Sequence, residues 1–206
     1  MTTQTPTWLT QKILAVAVIF LSFGATHDAM AAYTPGKLSL SMILEMATCD
    51  VAVATSPTLV FPTLSSTDLA EEAGHVSAGG NQKITLNIRN CPSSAQKAGA
   101  TPAVKLLGVT DATSNDRIFR DYSSTAVGNI GFGVRYLMPG TENVDTSRGK
   151  DGGYLTNGDF IDLASVGKAA TDQDVSFFVD VVHKPIGESI SSGILKATLN
   201  FIITFH

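Results

Sequence analysis

Apolar and polar residues alternate along several stretches of this chain, and a period of two marks a strand with one buried face. The first such stretch runs from Gly36 to Cys49. Leu38, Leu40, Met42, Leu44 and Met46 alternate there with Lys37, Ser39, Ser41, Ile43 and Glu45, and only Ile43 breaks the polar face. A helix competes over the middle, because Leu40, Ile43, Leu44 and Ala47 fall at helical spacing and Leu, Met and Glu are good helix formers. The longer alternation favours the strand. It leaves open whether the apolar face is covered by its own chain or by another.

Further strands follow in order. Asp50 to Val53 continues the alternation after Cys49, and Pro57 to Pro62 reads as a short strand bracketed by prolines. Proline cannot donate to a central ladder, so that strand belongs at a sheet edge. Ser65 to Gly80 is polar and small, a loop with room for one helical turn at Ser66 to Glu72 before Gly74. Gln82 to Cys91 is the cleanest strand, with Ile84, Leu86 and Ile88 on one face. Ala103 to Val109 and Asn129 to Leu137 come next; Gly131 and Gly133 on one face of the latter mark close backbone approach or a bend. Tyr154-Leu155 and Phe160 to Leu163 read as two short strands around Asn157-Gly158. Asp174 to His183 is strongly apolar, and the final stretch puts Leu199, Phe201, Ile203 and Phe205 on one face. Many short strands joined by turns, with no convincing long helix, predict an all-β sandwich.

Composition agrees with that reading. Only 16% of the 206 residues are charged, whereas Gly, Ser, Thr, Ala and Val are abundant, as in strands joined by turns rather than salt-bridged helices. The formal net charge of −4, with no cluster of Lys and Arg, argues against a nucleic-acid partner. Neither an internal repeat nor a domain linker interrupts the strands.

The first segment reads as a signal peptide, residues 1–31. Lys12 and the amino terminus form a weakly positive start, Ile13 to Phe23 an apolar centre, and Ala29-Met30-Ala31 a small-x-small cleavage site. The apolar run is about a dozen residues, short of the roughly 20 a membrane-spanning helix needs. No cysteine follows it at a lipidation position. Export implies an oxidising environment, so the two cysteines, Cys49 and Cys91, are most simply a disulfide. A metal pair or reactive thiol is the alternative, with no nearby Cys or His at ligand spacing to support it.

Catalytic and metal chemistry have no clear carrier. His75, His183 and His206 lack the short paired spacing of a zinc site, and there is no Gly-x-Ser-x-Gly elbow. Arg148 to Gly153 lacks the phosphate-loop pattern and reads as a solvated turn. No enzyme activity, cofactor or metal is expected.

In its order of features the chain resembles the pilins of chaperone–usher fimbriae, type 1 pilus subunits among them. The resemblance rests on the signal peptide, the Gly36-Lys37-Leu38-Ser39-Leu40 lead, Cys49-Asp50-Val51, and the amphipathic strand ending in Cys91. It continues in Leu107-Gly108-Val109-Thr110-Asp111, in Asn129 to Val134, and in the alternating last strand with penultimate Phe205.

The resemblance implies an incomplete immunoglobulin-like β-sandwich, residues 47–206, that lacks its last strand, preceded by a donor-strand extension at 32–46. Leu38, Leu40, Met42 and Leu44 would fill a neighbouring subunit's groove, while Leu199, Phe201, Ile203 and Phe205 would line this chain's own. The competing reading has the lead strand packing in its own sandwich. The implied partners are other pilin subunits, a periplasmic chaperone, an outer-membrane usher and, for a minor or tip pilin, a host-cell receptor. The implied role is a structural subunit polymerising by donor-strand exchange on the cell surface and supporting adhesion. The family usually has glycine where Met42 stands, so a bulkier plug and a deeper pocket in the neighbour are expected; Phe205 replaces the usual tyrosine with loss only of a hydroxyl.

Overall fold

The structure is a computed structural model, and the residues it describes are 36–44, 49–64, 81–93, 97–110, 116–126, 128, 130–150, 152–183 and 191–206, without the side chains of 42–44. The expected signal peptide at 1–31, the expected loop at 65–80, His75, and Glu45 with Met46 lie outside the described residues.

Among the described residues the chain forms nine strands and no helix: β1 Lys37–Leu44, β2 Asp50–Val53, β3 Thr58–Val60, β4 Gln82–Arg89, β5 Pro102–Gly108, β6 Ile130–Tyr136, β7 Phe160–Asp162, β8 Gln173–His183 and β9 Lys196–Phe205. They build two sheets, ordered β3-β1-β9-β5-β7 and β2-β4-β8-β6. The expected all-β sandwich is therefore the observed fold. The apolar faces that alternation picked out meet between the sheets: Ile84, Leu86 and Ile88 of β4, Val175, Phe177 and Val179 of β8, and Leu199, Phe201 and Ile203 of β9 are all buried. Phe177 and Phe201 join the layers with ring centroids 5.0 Å apart, and Phe61 meets Phe132 at 5.1 Å. One main core results, with a small second cluster of Ile118, Tyr154 and Val182.

Two local expectations hold for the reasons given. β3, between its prolines, lies at the edge of the five-stranded sheet. A Cβ at Gly131 would run into the Phe119 carbonyl and Ile118, and one at Gly133 into the Tyr154 ring. Only glycine lets these segments lie flat on β6. One expectation is corrected: Tyr154-Leu155 is not a strand, because Tyr154 makes only isolated bridges to Arg135 and Lys150. The middle of the first stretch is strand rather than helix, and β1 ends at Leu44 before the chain re-enters in the other sheet at Asp50.

Candidate functional site

β1 lies between β3 and β9, hydrogen-bonded on both sides. It runs antiparallel to β3, from Lys37 opposite Val60 to Ser39 opposite Thr58, and parallel to β9 over its whole length, from Lys37 opposite Lys196 to Leu44 opposite Ile203. The Lys37 amide donates to the Leu195 carbonyl at 2.9 Å, the Leu40 amide to Pro57 at 2.9 Å, and the Phe61 amide to Gly36 at 3.0 Å. A parallel pair cannot be closed by a tight turn. Here almost the entire sandwich is the connection between the two strands.

The structure brings the residues picked out for donation and those picked out for the groove together in one chain. Leu38 is 0% exposed and sits beside Ala197, while Leu40 packs partly buried against the same core. Met42 and Leu44 fall opposite Phe201 and Ile203 in backbone register; their side chains lie outside the described residues. On the groove side Leu199, Phe201 and Ile203 are sealed, and Phe205, beyond the β1 pairing, is half-buried. The lead strand thus packs in its own chain's sheet, the arrangement of the competing reading. The outer face of the pair is polar: Ser41 Oγ donates to Asn200 Oδ1, and Lys37 lies beside Lys196.

Cys49 and Cys91 form the expected disulfide, with Cα atoms 4.2 Å apart. It ties the residue before β2 to a residue just beyond β4, strands that pair through Asp50 opposite Arg89. Asn90 Nδ2 donates to Asp50 Oδ2 at 2.7 Å beside it. The bond fixes the chain at residue 49, downstream of β1.

A second cluster escaped the sequence. Asp180 of β8 is 0% exposed, and Arg135 of β6 reaches it with Nη2 2.6 Å from Oδ2. The Tyr154 hydroxyl donates to the same oxygen at 3.1 Å, and the Arg135 guanidinium lies 5.1 Å over the Tyr154 ring. Burial, with the Asp180 charge adding to it, pushes the Tyr154 phenol well above its ordinary value of 10.0. It stays protonated and acts as a donor, a structural staple rather than a base. The only advance signal was Gly133, whose missing side chain makes room for Tyr154.

Among the described residues no group of three or more His, Cys, Asp or Glu side chains could hold a metal ion. His206 is engaged otherwise, 2.9 Å from Asp162 Oδ1 and stacked at 4.3 Å on Phe160. Among the described residues no helix is long and apolar enough to cross a membrane.

Fold and site together define a two-sheet β-sandwich in which the strand beside the C-terminal one is supplied from the N-terminal end of the chain. No family model matches the chain, and no curated protein matches it. Among solved structures it is similar to the CupB6 tip adhesin from Pseudomonas aeruginosa, with a TM-score of 0.39 and 9% sequence identity, covering 84% of this chain and 41% of that one. The chain thus spans less than half the length of that protein.

Proposed function

We propose that the protein is a structural subunit of a chaperone–usher fimbria, in which β1 leaves its own groove and completes the sandwich of the next subunit. The observation that carries this reading is the position of β1. It is a separate segment at the N-terminal side of the disulfide, held between β3 and β9 without a hairpin to either, and inserting Leu38 into the core. An element of this kind can be supplied by an identical chain at no cost in contacts, which is the logic of strand donation and of domain swapping. Because donor and groove are different surfaces of one subunit, the contact is head-to-tail. Such contacts propagate into open filaments when the rotation does not close a ring.

The energy is of the right order. Burying four or five large apolar side chains at about 1.5–3 kcal/mol each gives a gross contribution near 10 kcal/mol before ordering costs. Between export and assembly, a periplasmic chaperone would hold the groove and an outer-membrane usher would exchange chaperone for subunit.

Deleting residues 32–42 tests the reading in cells that express the fimbrial chaperone and usher. The truncated chain is expected to co-purify with the chaperone and to be absent as a donor from surface fibres. Normal incorporation of the truncated chain at internal positions would overturn the reading.

A further inference from the structure

We propose that β3 is a sheet edge closed by its own chain: the Ser56 hydroxyl and the Gln82 carboxamide occupy the main-chain groups through which a second copy would pair. An antiparallel ladder turns every second residue of a strand toward its partner and the others away. Toward β1, the Pro57 carbonyl accepts from the Leu40 amide and the Phe61 amide donates to the Gly36 carbonyl. Residues 57, 59 and 61 thus face β1, and Thr58 and Val60 turn their amides and carbonyls to the open side of the sheet.

Side chains take three of those four groups. Ser56 Oγ accepts from the Thr58 amide at 3.2 Å and donates to the Thr58 carbonyl at 2.8 Å, so one hydroxyl closes both. Gln82 Nε2, from the first residue of β4 in the other sheet, donates to the Val60 carbonyl at 2.9 Å. Among the described residues only the Val60 amide is left without a partner. The next position in the same phase is Pro62, which has no amide hydrogen to offer. A strand arriving from another molecule would have to break these bonds to make its own, an exchange with no net gain. Val60 shows what is kept out. Its apolar, β-branched side chain is 54% exposed, and an open edge of that character is a template for a second copy. The edge at β6 is covered by main chain instead: Phe119 and Phe132 exchange amide-to-carbonyl bonds at 2.8 and 2.9 Å, and the Leu155 amide donates to Val134 at 2.8 Å. At β3 the side chains take that part.

The inference does not rest on strand exchange in a fimbria, since it concerns the side of β3 away from β1. The test is sedimentation velocity of the purified chain at about 0.1–1 mM, where weak association is read. Wild type is compared with S56A/Q82A and with S56A/Q82A/V60E, the last placing a carboxylate on the edge across from Lys37. The expected result is a monomeric wild type, self-association of S56A/Q82A at least about tenfold tighter, and a return to monomer with V60E. Amide hydrogen exchange locates the effect: S56A should speed exchange at Thr58 by about tenfold and leave Phe61, bonded to Gly36, unchanged. Should the double variant fold poorly, S56A alone supplies both readings. A folded variant that stays monomeric, association that V60E leaves intact, unchanged exchange at Thr58, or a wild type that already pairs through Thr58 and Val60 would overturn the proposal.

Discussion

Leu38 and Ala197 are partners across the parallel β1–β9 pair, and both are closed to solvent. The two ends of the sandwich domain therefore meet in its core, and the lead strand is a structural member as long as it stays there. L38A is expected to lower stability by about 2–5 kcal/mol, the usual result of truncating a buried leucine. Urea unfolding of the purified chain measures it; a loss under about 0.5 kcal/mol would mean that β1 is not seated in solution.

The disulfide closes a loop between Cys49 and Cys91, which are 42 positions apart. In the chain-entropy description that is worth about 4 kcal/mol. C49S/C91S should lose most of this in denaturant titration, and the wild type should lose the same amount once reduced. Unequal losses would point to a role of the thiols beyond the cross-link.

These two contacts differ in how far the chain foretold them. β4, β8 and β9 were legible because alternation is a local signal, and Ile84, Leu86 and Ile88 turn inward as their spacing requires. The disulfide followed from there being two cysteines in a chain whose first segment reads as a signal peptide. The neighbour of Leu38 was not legible: an amphipathic strand records that one face must be covered, and carries no information about which chain covers it. Asp180 was equally hidden. It falls on the outer face of β8, where alternation predicts solvent, and only the arrival of Tyr154 from the turn at 152–155 buries it. Tyr154 itself was read as strand because local pattern cannot distinguish a ladder from an isolated bridge.

The Arg135–Asp180 pair should behave as a buried ion pair. R135M removes the cation and leaves a carboxylate that is 0% exposed, at a cost of about 3–5 kcal/mol. The double variant R135M/D180L should recover most of that loss, because well-packed apolar replacements of buried pairs are often neutral. A double-mutant cycle by thermal unfolding reads the coupling; additive losses would show that the two side chains do not act together.

Tyr154 makes stability fall at high pH. Its phenol is raised above 10.0 by burial, so the folded chain resists ionisation more than the unfolded one. The contribution is complete below the unfolded value and declines as pH rises from about 10 toward the folded value. Y154F should flatten the decline in urea midpoint over that range. An identical alkaline slope in the variant would assign the loss to other groups.

The central claim is that this chain is built into a surface fibre through its lead strand. Mass spectrometry of fibres sheared from cells tests it most directly, because it reads both the presence of the chain and its first residue. The account predicts the chain in the fibre fraction, beginning near Ala32 with residues 36–44 intact. Finding it only as a soluble monomer, or in fibres with those residues removed, would contradict it.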